Sequence, residues 1–244
     1  SYAGLVAPVV ASRRRGLVDA PFDLTLATPT EGASILYTLD GSPPTPETGL
    51  LHAGPLRVEA STVVRALAIR GDWLTSSLNT WTWILPSQVR AQSQASVLAR
   101  GFPETWAQSA ADYGVDPRVA GPDDLFDGRY AERLEADLRG LPTLAISLGA
   151  DALFGPEGIY AQSTQRGARW ERAASVEVLT GDRATDLQVD CALRIQGGAF
   201  RNHGLTRKHS FRLLFKAPYG PTKLRHPLLG PDARVRTGGI DECQ

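Results

Sequence analysis

The stretch from Val189 to Lys216 constrains the fold more than any other. Val189, Cys191, Leu193 and Ile195 alternate with Asp190, Ala192, Arg194 and Gln196. Phe211, Leu213 and Phe215 alternate in the same way with Arg212, Leu214 and Lys216. One face every second residue is the signature of strands with a single buried side. Between the two segments lies a bend holding Gly197, Gly198, Arg201, Gly204, Arg207 and Lys208. From Cys191 to Pro231 there is no Asp or Glu, yet eight residues are Lys or Arg, including all three lysines of the chain. The net charge of the whole chain is zero. The positive charge is therefore local, which points to an anion site and away from general binding to nucleic acid or to a membrane surface.

Glycines let backbone N–H groups approach a phosphate, and Arg or Lys supply the charge. Gly197, Gly198, Arg194, Arg201 and Lys208 are the candidate binding residues on these grounds. Lys208 opens the second strand just after the bend and is placed to reach phosphate oxygens; the alternative is a solvated edge residue. Arg194 and Arg201 flank the glycine pair and either bind phosphate or hold the bend through backbone carbonyls. Arg212 shares a face with Leu214 and Lys216 and is expected in a cross-strand ion pair. His203, His209 and His226 have no metal-ligand partners at useful spacing, so no metal site is expected. Cys191 reads as a core-facing strand residue, and a disulfide with Cys243 is not expected.

Ahead of this stretch the composition is different. Residues 6–86 are dense in Pro, Gly, Thr and Ser and lack helical periodicity. Strand candidates are 22–26, 34–39, 56–59, 62–70 and 80–85, separated by turn signals at short intervals, which points to a small β-sandwich. Asp40-Gly41 is a strong turn signal, and Asp40 is expected to bond its own turn, not a metal. Trp73, Trp81 and Trp83 are either a sugar-stacking platform or buried aromatics; Trp81 and Trp83, two apart on one strand, favour burial. Arg13, Arg14 and Arg15 read as a solvated arm.

Residues 87–140 form a partly helical connector, and Tyr130–Arg139 is its best helix, closed by Gly140 and Pro142 and expected to pack under the second domain's sheet. In 141–244 strands are expected at 143–148, 158–163, 175–179, 187–196 and 210–216, with a single helical turn at 151–154. With so few helices the sheet should be mainly antiparallel. No apolar run approaches the ~20 residues that a membrane helix needs.

Two resemblances follow from these residues. YTLDGSPPT, then GPLRVEASTVVRALAIRGDWLTS, resembles the chitobiase/β-hexosaminidase C-terminal module over Ala20 to Leu85. The resemblance implies an immunoglobulin-like accessory domain, with no catalytic residues of its own. LPTLAISL, GIYAQS, WERAASVEV and RIQGGAFR...RKHSFRLLFK are similar to the N-terminal lobe of the CotH kinase family, atypical protein kinases, over Leu141 to Leu229. The fold class expected is therefore mainly β with some α: an immunoglobulin-like β-sandwich, then an α+β antiparallel-sheet lobe resembling a kinase N-lobe.

The CotH resemblance implies a phosphotransferase acting with ATP and Mg on Ser or Thr of extracytoplasmic proteins. It places Lys208 on the nucleotide phosphates and makes Glu171, in WER, or Glu177 the acidic partner of that lysine. After Lys208 the only acids are Asp232, Asp241 and Glu242, so catalytic aspartates are expected beyond this chain and the chain alone should be inactive. The alternative is a non-catalytic cell-surface module that binds carbohydrate or an anionic polymer.

Overall fold

The computed structural model describes residues 2–181 and 186–224, and the backbone of 242–243. The protein is mainly β, and its residues group into two compact units. The first holds residues up to Ala91, Val115–Ser147 and Glu177–Gln188; the second holds Gln92–Gly114, Leu148–Val176 and residues from Val189 on. The 87–140 connector is thus divided between the two.

In the first unit a five-stranded sheet runs in the order Gly16–Leu17, Asn79–Ile84, Thr62–Ile69, Ser34–Thr38, Leu50–Leu51. Gly16–Leu17 pairs parallel to Asn79–Ile84, and the other neighbours are antiparallel. Two further pairs, Phe22–Leu24 with Leu56–Val58 and Val10–Ala11 with Leu26–Ala27, supply the apolar side chains that meet this sheet. Leu24, Val64, Ala66, Ala68 and Trp83 are all fully buried in one core. The arrangement is consistent with an immunoglobulin-like β-sandwich. Val64, Ala66 and Ala68 are two apart, as a core-facing strand demands. Arg65, on the opposite face of the same strand, is also buried and donates to Thr80 Oγ1 and to the Gly41 carbonyl. The Asp40-Gly41 turn forms as expected: Asp40 Oδ1 accepts from Ser42 N and Ser42 Oγ, and Gly41 has φ +81°, which a side chain would oppose.

Trp81 and Trp83 are buried at 8% and 0% exposure, so they are core residues and not a sugar platform. Trp83 meets Phe22 edge-on at 5.5 Å and donates its indole N–H to the Arg14 carbonyl. Burying an indole of roughly 200 Å² stabilises the fold by at most about 5 kcal/mol.

Helices are short. Pro86–Arg90 starts on a proline, and Gln94–Leu98 is capped by reciprocal Ser93 and Ser96 bonds. The expected helix at 130–139 forms over Leu134–Gly140 with none of its residues buried; it packs on Pro86–Arg90 within the first unit, where Arg90 reaches Glu135 at 3.9 Å. A small hairpin, Thr105–Trp106 with Ser109–Ala110, had no clear signal in the sequence.

A second five-stranded sheet takes the order Thr143–Ser147, Arg172–Leu179, Leu187–Gln196, Ser210–Leu214, Glu242–Cys243. Ala150–Phe154 is the expected helical turn. Residues 158–163, expected as a strand, form turns instead. Ile159 N bonds to Ala152 O and Tyr160 N to Leu153 O. Gly158 comes so close to the Leu153 carbonyl that a Cβ would lie 2.3 Å from it, so the chain folds back on the preceding helical turn. Beyond Leu224 only the backbone of Glu242–Cys243 is described, pairing Leu213↔Cys243 and Leu214↔Glu242. His226, Asp232, Asp241 and the side chain of Cys243 lie outside the described residues.

Candidate anion site

The two alternating strands pair as their pattern demands. Leu193 lies opposite Leu213 and Ile195 opposite Phe211, while Arg194 lies opposite Arg212 on the other face. Like charges directly opposite destabilise a pair, so this face needs a counter-charge. Glu171, one residue before the Arg172–Leu179 strand, supplies one. Its side chain is only 3% exposed, with Lys216 Nζ 2.8 Å from Oε2 and Arg194 Nη1 3.7 Å from Oε1. Lys216 Nζ also donates to Oε1 at 2.9 Å. The acidic partner in the WER segment is thus engaged by Lys216 and Arg194, and not by Lys208. The spacing of Lys216 five residues past Phe211 carried no signal for this pairing; only the sheet register brings it to Glu171.

The bend is built on Gly197, whose φ of +123° is open to glycine and costly for other residues. Ala199–Arg201 form a single 3-10 turn after Gly198. Arg201 is 6% exposed. It donates to the carbonyls of Ile195 and Gln165, and its Nε has no hydrogen-bond partner among the described residues. No carboxylate ion-pairs with it among the described residues. Burial pushes its pKa below the usual guanidinium range, and the nearby charges of Arg166 and Arg194 add to the effect. A buried cation that lacks an anion is costly. Arg201 thus holds the bend through carbonyls and also leaves a positive charge uncompensated there. Arg166 had no signal in the sequence reading.

Lys208 is placed differently. Its side chain is 66% exposed and its Nζ lies 3.3 Å from Asp112. Glu177 lies in the first unit, where it accepts from Thr82 N and Thr82 Oγ1 and pairs with Arg15 at 3.1 Å. Arg15 is therefore part of the packed structure and not a solvated arm. Arg13 stacks over the Phe22 ring at 4.3 Å. Together with Arg14, Trp81 and Asp186 these arginines line a cleft of about 360 Å³.

The residues at the bend, a glycine backbone and the Arg201 guanidinium, are of the kind that holds a phosphate group. They do not fit a bound Mg²⁺, because no group of three His, Cys, Asp or Glu is placed to hold a metal among the described residues. Among these residues, no helix is long and apolar enough to cross a membrane.

Comparison with known families bears on the first unit. Residues 14–80 match the family model of the Chitobiase/beta-hexosaminidase C-terminal domain. The match spans the strands from Gly16–Leu17 to the start of Asn79–Ile84 and agrees with the sandwich described above. No CotH or kinase family model matches the remainder. No curated protein and no solved structure matches the chain.

Proposed function

We propose that residues 141–244 are the N-terminal, phosphate-binding part of a CotH-type atypical protein kinase, with the chitobiase-type module as its accessory domain. The observation that carries this reading is the buried Arg201 guanidinium, without a carboxylate partner among the described residues, at a glycine bend that Arg194 and Arg166 also approach. Phosphoryl transfer is mostly positioning and charge neutralisation. In this reading the N–H groups at Gly197 and Gly198 and the side chains of Arg201 and Arg194 hold nucleotide phosphates. Glu171 fixes Lys216 and approaches Arg194, and Lys208 joins the phosphates only on leaving Asp112. ATP with Mg²⁺ supplies the transferable phosphoryl group. Among the described residues, no group of three His, Cys, Asp or Glu is placed to bind the metal. The acceptors are Ser or Thr hydroxyls of extracytoplasmic proteins.

Calorimetric titration of ATP tests the reading. The expected result is binding that weakens at least tenfold in Arg201→Met and in Arg194→Met. No ATP binding by the wild-type chain, or equal binding by both variants, overturns it. A second reading, a non-catalytic surface or carbohydrate-binding module, draws on the family match of residues 14–80 and on the arginine-lined cleft. It predicts weak, salt-dependent binding of anionic polymers that ATP does not displace.

A further inference from the structure

The two histidines beside the bend touch each other. His209 Nε2 lies 3.1 Å from His203 Nδ1. Their outer nitrogens meet oxygen atoms. His209 Nδ1 is 2.9 Å from the Phe200 carbonyl. His203 Nε2 is 3.1 Å from the Tyr160 carbonyl and 3.2 Å from Ser163 Oγ. Ser163 has committed its hydroxyl hydrogen to the Arg201 carbonyl, 2.5 Å away, so toward His203 it can only accept. A carbonyl oxygen accepts and never donates. Both outer nitrogens therefore carry hydrogen, and the contact between the rings needs one hydrogen more. That makes three N–H hydrogens on two imidazoles, one more than a neutral pair holds.

We infer that His203 and His209 share one extra proton and, as a singly charged pair, position the bend that carries Gly197, Gly198 and Arg201. The inference stands whether or not the bend binds phosphate. The pair and its neighbours grip the loop at several points. His209 holds the Phe200 carbonyl and Ser163 the next one along, that of Arg201. The Tyr160 hydroxyl donates to the Arg207 carbonyl at 2.7 Å and accepts from His209 N at 3.1 Å.

The surroundings of His209 oppose a charge on it. Burial pushes the His209 pKa down, the Phe200 carbonyl opposes this, and the charges of His203 and Arg201 add to the fall. His209 is thus the ring whose surroundings oppose a charge. The Tyr160 ring tilts against both, at 4.9 Å from His209 and 6.2 Å from His203. Its hydroxyl stays protonated, since burial raises its pKa. Trp106 packs on Tyr160 and brings no charge. Lys208, next in the chain to His209, is engaged by Asp112. When rising pH strips the extra proton, a lone pair must face a carbonyl, or two lone pairs must face each other between the rings. Loss of the His209 Nδ1 hydrogen releases the Phe200 carbonyl directly, and the other losses loosen the pair that holds it.

The test uses histidine labelled with nitrogen-15 and long-range proton–nitrogen spectra across a pH series. Replacing His52 and His226 by Gln leaves only the pair among the four histidines of the chain. At neutral pH the expected result is three protonated nitrogens and one unprotonated. As pH rises, one more becomes unprotonated, and the amides of Gly197 and Gly198 shift with the same midpoint. His203→Gln is expected to abolish that glycine titration. Two unprotonated nitrogens at neutral pH, or glycine amides that do not follow the pair, overturn the inference. If His203→Gln does not fold, the nitrogen count in the His52 and His226 variant still decides. No ligand is used, so the outcome is independent of ATP binding.

Discussion

Glu171 presents both carboxylate oxygens to Lys216 Nζ, at 2.9 and 2.8 Å. The carboxylate is 3% exposed and the lysine 43%. Breaking a buried ion pair from one side leaves the other charge stranded, at a cost of about 3–5 kcal/mol. Arg194 at 3.7 Å compensates in part, so Lys216→Met should cost roughly 2–3 kcal/mol. Glu171→Gln should cost less, because the freed ammonium can turn to water. Urea unfolding of both variants and the double variant measures this. Equal stability of Lys216→Met and wild type would show that the pair contributes nothing.

The bend depends on one backbone conformation. Gly197 has φ +123°, and Ala there is strained whatever space surrounds it. Gly197→Ala is expected to lower stability by about 1–3 kcal/mol. Its backbone amide signal and that of Gly198 should move in the folded protein. An unchanged unfolding midpoint would mean that the bend tolerates a side chain.

Cys191 is fully buried, and burial, with the nearby Asp190 charge, pushes its thiol up to about 12 from a reference of 9.0. The folded state therefore keeps a proton that the unfolded state releases above pH 9. Stability should fall as pH rises between 9 and about 12, by up to about 1.4 kcal/mol per pH unit. Cys191→Ala should remove this slope. In a Cys243→Ser background, a thiol reagent at mildly alkaline pH should label the protein only after denaturant is added. Rapid labelling of the native protein contradicts the burial.

Trp83 fills the sandwich core with 0% exposure. Trp83→Ala should cost about 3–5 kcal/mol, read from denaturant unfolding followed at the remaining tryptophans. Trp83→Phe keeps most of the volume but strands the Arg14 carbonyl, so it should lie in between.

Much of the first unit was legible in sequence. Its strands at 34–38, 62–69 and 79–84 lie between turn residues that mark them off, and Asp40-Gly41 announces its turn. The helical turn at Ala150–Phe154 and the strands at Leu187–Gln196 and Ser210–Leu214 were equally plain. The turns at 158–163 were not. GIYAQS has strand composition, but the close approach of Gly158 to the Leu153 carbonyl and the bonds from Ile159 N and Tyr160 N fold it back on the preceding turn. The anion-site residues were chosen for type and spacing, and the structure divides them. Arg201 holds the bend and feels the charge of Arg194, Arg194 approaches Glu171, and Lys208 turns to Asp112.

What the sequence determined alone was local: alternation, turn chemistry, and a window of positive charge free of acids. These are properties of neighbouring residues, so a chain can be read for them directly. The tertiary structure decided the pairings across long separations. Glu171 took Lys216 and Arg194, and Glu177 took Arg15 and Thr82. Each choice depends on which strand lies beside which and in what register. A buried carboxylate or imidazole accepts whichever partner that register brings within bonding distance, and no local spacing encodes it.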